Sequence, residues 1–192
     1  MSLVTTINLL DLVDAIGEED TKKLLSDFSC AKNREIEKYV HNSALDFAKQ
    51  KIPMTHLVVD DLGRIAAIFA LTHKAIEIAG EGLSNTTRSK LCRFAELDET
   101  SGSFSVSSFL IVQFGKSDIA SSFLSGDSLM ACAIEILSSA QGNVGGGVVY
   151  LECEDKPKLL QFYENDNNRF RPFGRRFSEK DGVEYIQLLR FF

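Results

Sequence analysis

The sequence predicts a mixed α/β fold in which helices cover both faces of a central sheet. Apolar, β-branched runs of strand length alternate along the chain with amphipathic segments of helix length, and the chain ends on two strand-like runs joined by a turn. The 192 residues, 44% of them hydrophobic, suffice for one domain with a sizeable core. We therefore expect a single domain over residues 1–192, with residues 1–22 as a peripheral arm.

The first half of the predicted fold is a hairpin beside one long helix. Apolar residues recur at three- and four-residue spacing over 33–51, which predicts an amphipathic helix that faces the core. Residues 55–59 and 65–71 are apolar runs on either side of a turn in which Gly63 supplies a positive φ. A short strand over 23–27 precedes them.

The second half begins with an excursion over residues 74–104 that contains a short basic helix at 86–94. A strand from Ser107, a polar loop, a helix that ends at 141–146 and a strand over 147–152 are predicted to follow. The next predicted element is a helix over 156–164, with Asp155 as N-cap and Pro157 in its first turn. The chain is predicted to end in strands over 170–177 and 183–191, joined by a turn at 180–182.

Composition excludes several classes of function. A net charge of −6 argues against a protein that binds nucleic acid over its whole surface. No apolar run approaches the roughly 20 residues that span a bilayer, and the N-terminus does not look like a signal peptide, so we expect a cytoplasmic protein with no membrane association. The histidines lack metal-ligand spacing, so no metal is expected. Reduced, mostly buried thiols are expected at Cys30, Cys92, Cys132 and Cys153.

The passage from strand to helix over residues 107–140 is a candidate anion site, because the N-terminus of a helix presents free N–H groups and a positive dipole end. Within it, Gly115-Lys116-Ser117 suggests a P-loop. The P-loop pattern requires a glycine five residues before Gly115, and that position is Leu110. The phosphate-binding part is therefore expected later, at residues 123–127, where the helix starts.

A pair of aromatic residues, Phe162 and Tyr163, ends the helix predicted at 156–164. Two interpretations remain open on these residues alone. In the first, both rings belong to the core, which is the more frequent fate of aromatic residues at a helix end. In the second, the Tyr163 hydroxyl is free to donate a proton in a cleft.

Taken together, the strand–loop–helix, the glycine-led strand and the helix ending in Phe-Tyr resemble the Gcn5-related N-acetyltransferase (GNAT) superfamily. The resemblance extends from about Asp27 to the C-terminus. Phe28-Ser29-Cys30 before the first long helix, and residues 55–59 after it, are similar to a bacterial branch that includes toxins acetylating aminoacyl-tRNA. The implied fold is a strongly twisted mixed sheet with helices on both faces.

The resemblance implies acetyl-CoA as cosubstrate, with Tyr163 as the general acid that protonates the departing thiolate. The strand at 111–113 takes the position that pairs with the pantetheine arm, and the segment 121–126 takes that of the pyrophosphate loop, of which only Gly126 matches the family glycine pattern. The implied cofactor-binding residues are Ile111, Val112, Gln113, Ser121, Ser122, Phe123, Leu124, Ser125, Gly126, Asp127 and Lys156.

The acceptor amine and the general base stay open in the sequence. Glu77 and Glu152 are candidates for the base. Two basic clusters, interpreted here as solvated surface charge, consist of Arg88, Lys90 and Arg93, and of Arg169, Arg171, Arg175 and Arg176. The favoured function is an N-acetyltransferase of an amine. The alternatives are a toxin that acetylates aminoacyl-tRNA, the one case in which nucleic acid is an expected partner, and a non-catalytic acyl-CoA-binding module; homodimer formation is left open.

Overall fold

The computed structural model describes residues 4–180 and 182–192, apart from the side chain of Ser121, and these residues form eight strands and seven α-helices. The strands are β1 (Thr5–Asn8), β2 (Met54–Val59), β3 (Ile65–Ala79), β4 (Leu97–Asp98), β5 (Ser103–Lys116), β6 (Val148–Glu154), β7 (Arg171–Ser178) and β8 (Val183–Phe191). The helices are α1 (Leu9–Ile16), α2 (Glu18–Ser26), α3 (Arg34–Asn42), α4 (Ala44–Gln50), α5 (Asn85–Leu91), α6 (Gly126–Val144) and α7 (Pro157–Glu164), and a 3-10 helix spans Asp118–Ser122.

The strands form one mostly antiparallel sheet, and the predicted mixed α/β fold is confirmed. Their order is β1-β2-β3-β5-β6-β8-β7, with β4 paired to β5. Strands β5 and β6 run parallel, and their register pairs Phe109 with Val149 and Leu110 with Tyr150. A parallel pair needs a crossover connection, which the loop and helix α6 supply here.

Contacts along the chain divide it into two compact units. The first comprises Met1–Thr72 and Ile111–Ala133, and the second comprises His73–Leu110 and Ile134–Phe192. Each unit has a buried apolar cluster of its own: the first includes Leu9, Val40, Leu57 and Ile68, and the second includes Ile78, Phe104, Val106, Tyr150 and Leu189. The single domain expected from the sequence stays a prediction.

The helix predicted over 33–51 forms as two helices, α3 and α4, because the backbone leaves the helical region at Ser43, where φ is −133°. Asn33 begins α3, since its side chain accepts hydrogen bonds from the N–H groups of Glu35 (3.1 Å) and Ile36 (3.3 Å). Two apolar residues of the predicted face follow the interruption: Ala44 is fully buried, and Phe47 is 41% exposed.

The N-terminal residues belong to the first unit. The strand predicted over 23–27 was wrong: these residues lie in and at the end of α2, whose first turn carries three acidic residues that favour a helix N-terminus. A five-residue apolar run cannot separate strand from helix. Leu9 is fully buried and β1 pairs with β2, so residues 5–22, expected as an arm, contribute to the core of this unit.

The predicted hairpin is confirmed, with β2 and β3 antiparallel around a turn in which Gly63 has a φ of 74°. Asp60 organises this turn. Its carboxylate accepts hydrogen bonds from the N–H groups of Leu62 (3.0 Å) and Arg64 (2.9 Å) and from the Arg64 side chain (2.8 Å). Burial by itself raises the pKa of Asp60, but these hydrogen bonds and the charge of Arg64 outweigh it, so the pKa lies below its ordinary value.

In the second unit, the excursion predicted over 74–104 is largely regular structure, since it includes the end of β3, helix α5 and strand β4. Ser84 caps α5, because its hydroxyl accepts a hydrogen bond from the Thr87 N–H (3.1 Å). The basic helix predicted over 86–94 is thus confirmed with earlier bounds. The terminal strand pair forms as β7 and β8, and the predicted turn between them includes Asp181, which lies outside the described residues.

The four thiols differ in exposure. Cys30 and Cys153 are buried as expected, Cys132 is half-buried, and Cys92 is exposed at the end of α5. Within the described residues, no group of three or more His, Cys, Asp or Glu side chains is arranged to hold a metal ion. None of the helices described has both the length and the apolar character that a bilayer crossing requires.

The charge of Asp60 is expected to stabilise the first unit in a pH-dependent way. Because its pKa is lower in the folded chain than in the unfolded chain, the stabilisation is present above the ordinary carboxyl pKa of about 4 and is lost as the pH falls from there through the lower pKa of the folded chain. Asp60→Asn should therefore lower the melting temperature at pH 7, and the difference from wild type should shrink towards pH 3. Thermal unfolding across pH, with the exposed neighbour changed in Asp61→Asn as control, measures this; equal melting of Asp60→Asn and wild type at pH 7 contradicts it.

Candidate functional site

The Gly115-Lys116-Ser117 sequence has a structural role in the first unit. Gly115 lies against Ile36, where an added Cβ would come within 2.5 Å of the Ile36 Cδ1 atom. The Ser117 N–H donates to a carbonyl of β3 (2.8 Å), and the Lys116 ammonium donates to the Leu124 carbonyl (2.7 Å). Gly115 and Lys116 are the last residues of β5 rather than part of an open loop. The P-loop interpretation is therefore excluded, as the sequence pattern indicated.

The segment between β5 and α6 is anchored at both ends. The Asp118 N–H donates to the Ser29 carbonyl (2.9 Å), and the Asp118 carboxylate accepts from the Ala31 N–H (3.0 and 3.1 Å). The Lys116–Leu124 bond holds the other end. These contacts fix where α6 begins.

The predicted phosphate donors at residues 123–127 are only partly available. The N–H groups of Phe123 and Leu124 both donate to the Ala120 carbonyl (3.4 and 3.1 Å), so they are engaged within the chain, contrary to the expectation. Ser125 caps α6, since its hydroxyl accepts from the Ser128 N–H (3.0 Å). The N–H groups of a first helical turn have no carbonyl one turn earlier. The backbone at the start of α6 is thus the part of the predicted cradle that remains.

The predicted cofactor-binding side chains of the first unit differ in exposure. Leu124 is 4% exposed and lies in the core, so its side chain does not project in front of α6. Ser122 and Ser125 are exposed, and Gly126 and Asp127 are half-buried. In β5, Ile111 is buried, Gln113 is half-buried and Val112 is 41% exposed.

Tyr163 lies near the end of α7 in the second unit and is 8% exposed. Its ring packs edge-on against Phe162 and Phe170, with centroid distances of 4.9 and 5.9 Å. Its hydroxyl has no hydrogen-bond partner among residues 4–180 and 182–192. Burial, and to a smaller extent the neighbouring Cys153, raise the pKa of Tyr163. The phenol is therefore neutral over the physiological range and carries a proton it can donate.

The N-terminal end of α7 differs from the prediction in one detail. Pro157 occupies the first turn as expected, but the N-cap position is Lys156, and no side chain caps the helix there. The Asp155 carboxylate, predicted as the cap, instead accepts a hydrogen bond from Arg175 (2.9 Å). Lys156 is exposed and forms an ion pair with Glu154 (2.6 Å).

The two candidate bases differ: Glu152 belongs to a hydrogen-bonded group and Glu77 is exposed. Burial raises the pKa of Glu152, but Arg176, which binds its carboxylate at 2.5 to 3.0 Å, and the hydroxyl of Tyr150 outweigh that effect and lower it. The carboxylate also accepts from Gln187 (3.3 Å). Glu77 is exposed and accepts one hydrogen bond, from Ser103 (3.2 Å).

A cleft of about 1020 Å³ lies within the second unit, between the α5 region and strands β7 and β8. Its lining includes Leu160, one turn before Tyr163 on α7, and, among the described residues, no acidic side chain. The cations that line it are Lys90, Arg169, Arg171 and Arg175, and the aromatic residues are Phe173, Phe191 and Phe192. We call this site the basic cleft.

The cations of the basic cleft are not equally neutralised. Arg175 binds Asp155 (2.9 Å) and Glu184 (2.6 Å), and this pairing raises its pKa. Lys90 lies 5.2 Å from the centre of the Phe191 ring. Over the part of the chain that the structure describes, neither Lys90 nor Arg169 pairs with a carboxylate. The cleft therefore presents a net positive field on a chain whose overall charge is −6.

The chain is similar to known proteins in structure but not in sequence. No protein-family model and no curated protein matches the sequence. Among solved structures, the toxin AtaT in complex with acetyl-methionyl-tRNAfMet is 14% identical, with a TM-score of 0.67 over 95% of this chain and 94% of that one. AtaTR bound with acetyl-CoA is 16% identical, with a TM-score of 0.63 over 96% and 93%. The NatC complex bound to Gag peptide and CoA is 14% identical, with a TM-score of 0.55 over 98% of both chains.

The chain has the GNAT fold. At this identity the comparisons establish the fold, as the resemblance implied, and the roles of single residues in this GNAT-fold chain rest on its own geometry.

Two features of this GNAT-fold chain were missed in the sequence. In the sequence, both basic clusters were interpreted as solvated surface charge. The basic cleft instead brings Lys90 of one cluster together with three arginines of the other. Arg88, Arg93 and Arg176 do not line it. The hydrogen-bonded group around Glu152 was also missed, although Tyr150 and Glu152 are polar residues at two-residue spacing in an apolar strand, which places them on one face.

Tyr163 is expected to ionise at higher pH than an ordinary tyrosine, whose pKa is about 10. Its ultraviolet titration is obtained as the difference between wild type and Tyr163→Phe. Because the folded chain holds this proton more tightly than the unfolded chain, wild type should also lose stability relative to Tyr163→Phe as the pH rises above 10 or so. The same difference measured in denaturant is the control. A difference titration near the ordinary value in the folded protein contradicts the burial of this phenol.

Proposed function

We propose that this protein is an acetyl-CoA-dependent N-acetyltransferase that transfers acetyl directly to an amine, with Tyr163 as general acid. The observation that carries the proposal is a buried, neutral tyrosine without a hydrogen-bond partner among the described residues, on the helix that follows β6 in a GNAT-fold chain. Structural neighbours bound to acetyl-CoA and to CoA support the choice of cosubstrate.

The proposed reaction needs three contributions from the protein. The amine attacks the thioester carbonyl, and a backbone N–H near Val112 in β5 stabilises the oxygen that becomes negative. The carbon–sulfur bond then breaks, the thiolate takes the proton of Tyr163, and the tyrosinate is reprotonated from water. In this proposal the amine loses one proton to solvent, and Glu152, whose carboxylate binds Arg176, does not take it.

Most of the residues that we propose for the cosubstrate belong to the first unit. Val112 is 41% exposed and lies beyond Leu110, the last residue in the register of β5 with β6. Strand backbone at Val112, with Ile111 and Gln113 on either side, would pair with the pantetheine arm, and N–H groups of the first turn of α6 would bind the pyrophosphate. Leu124 does not obstruct this approach, because it is buried. The remaining proposed contacts are Ser121, Ser122, Ser125, Gly126, Asp127 and Lys156.

Removal of the Tyr163 hydroxyl is the direct test. Tyr163→Phe should lower kcat by about 10² to 10⁴, the usual contribution of a general acid, and leave the affinity for acetyl-CoA within about twofold. Thiol release with a panel of amines gives kcat, and calorimetry gives the affinity.

The matched control for this variant is Tyr39→Phe, which removes the hydroxyl of another buried tyrosine, hydrogen-bonded to Thr55 (2.7 Å) in the first unit. It should cost about 1 kcal/mol of stability and leave kcat unchanged. Wild-type protein that binds acetyl-CoA but transfers acetyl to no amine would favour the non-catalytic acyl-CoA-binding module. Failure to bind millimolar acetyl-CoA would exclude both the N-acetyltransferase and the acyl-CoA-binding module.

A second candidate function is acetylation of aminoacyl-tRNA, and the basic cleft favours it. Cations without carboxylate partners together with aromatic rings suit the phosphates and unpaired bases of a single strand. The neighbour AtaT is bound to acetyl-methionyl-tRNAfMet, which supports the same acceptor class.

The cleft gives this second candidate its own test. Lys90→Gln and Arg169→Gln should each weaken tRNA binding and reduce the slope of log affinity against log salt by about 1. Lys38→Gln, which changes an exposed lysine of α3 in the first unit, is the control. Induced wild-type protein should arrest growth and Tyr163→Phe should not. A salt slope unchanged in both cleft variants contradicts tRNA binding there.

A further inference from the structure

The end of α7 is held by the segment that follows it, Asn165–Phe170. The last carbonyl groups of a helix have no partner within the helix. In α7 those of Phe162, Tyr163 and Glu164 accept hydrogen bonds from beyond it. The donors are, in the same order, the side-chain amide of Asn168 (2.7 Å), the N–H of Phe170 (3.0 Å) and the guanidinium of Arg171 (2.7 Å).

The same segment is also ordered internally. The Asn165 side chain accepts hydrogen bonds from the N–H groups of Asn167 (3.0 Å) and Asn168 (2.8 Å), and the Asn165 carbonyl accepts from the Arg169 N–H (2.8 Å). This turn folds the chain back on α7, so that the Asn168 amide reaches the Phe162 carbonyl.

Arg190 of β8 fixes Asn168 from the sheet. Asn168 is 1% exposed and Arg190 is 8% exposed, and the Arg190 guanidinium donates to the Asn168 carbonyl (3.1 Å). The Arg190 Nε is buried and has no partner among the described residues. A buried guanidinium without a carboxylate lowers stability compared with an apolar side chain of the same size. Stability therefore does not account for an arginine at this position.

We infer that Asn168 and Arg190 are positioning residues for Tyr163: the guanidinium holds Asn168, and the Asn168 amide holds the last turn of α7, so that the Tyr163 hydroxyl keeps one direction. This inference rests on the proposed function of Tyr163 as general acid. Neither residue touches the reacting atoms in this role. Both act by orienting Tyr163, and the guanidinium of Arg190 does not stabilise charge on the substrate.

Two variants remove the two bonds without adding charge. Asn168→Leu removes the donor to the Phe162 carbonyl, and Arg190→Met removes the guanidinium while keeping an unbranched, apolar chain. Both should lower kcat at least tenfold, since a misplacement of 1 Å costs as much as 10²-fold, with the KM for acetyl-CoA within twofold of wild type. Arg190→Lys, which restores a donor of similar reach, should recover part of kcat.

The matched control is Asn143→Asp. Asn143 is exposed, and its amide donates to the Ser139 carbonyl (2.7 Å) near the end of α6, so the variant breaks the same kind of bond at another helix end. It should leave kcat unchanged. The inference is overturned if both Asn168→Leu and Arg190→Met keep the wild-type kcat. It is also overturned if the KM for acetyl-CoA rises by as large a factor as kcat falls.

A second readout does not depend on catalysis. The titration of Tyr163, taken as the difference between each variant and the same variant with Tyr163→Phe, should shift towards the ordinary phenol value in Asn168→Leu and Arg190→Met as water reaches the loosened helix end. If wild-type protein transfers no acetyl group, the proposed function fails, and this titration alone decides the positioning. A Tyr163 titration identical to wild type in both variants overturns it. If Asn168→Leu does not fold, the comparison of Arg190→Met with Arg190→Lys gives the same decision.

Discussion

The burial of Tyr163 at the end of α7 is the constraint on which the candidate site depends. It keeps the Tyr163 phenol neutral, because a charged phenolate would lose its hydration there. Where the helix end is buried, its last carbonyl groups need donors inside the protein, since an unpaired buried carbonyl costs about 1 to 3 kcal/mol. The Asn165–Phe170 segment and Arg171 supply those donors. One physical condition thus sets both the protonation state of the tyrosine and the geometry of the helix that carries it.

The cations of the protein divide into two groups according to their partners. Lys116, Arg64 and Arg176 bind carbonyl or carboxylate oxygens of the chain and stabilise a loop, a turn and the link from β7 to β6 across β8. Lys90 and Arg169 line the basic cleft without carboxylate partners in the described chain. On an acidic protein, such a local positive field can attract an anionic acceptor while the remaining surface repels it. The net charge alone therefore says little about the acceptor.

Sequence patterns predicted those elements whose signals are local. The β2–β3 hairpin, α7 with Pro157 in its first turn, and the terminal strands follow from alternation, turn residues and proline geometry. The predictions that failed depend on competition between partners. Asp155 binds Arg175 instead of capping α7, and Ser43 divides a helix whose apolar spacing is continuous. A spacing rule contains no information about an arginine twenty residues away.

For the candidate site the division is similar. The sequence by itself determined the order of strands and helices from β5 onward, the likeness to the GNAT fold, the helix start near Gly126 and a tyrosine at the end of α7, because each is encoded in a short stretch of chain. Only the tertiary structure decided that Phe123 and Leu124 use their N–H groups internally, that Lys90 joins distant arginines in one cleft, and that Arg190 holds Asn168. These contacts join residues far apart along the chain or depend on the exact course of a loop. They follow from how the elements pack, which periodicity does not specify.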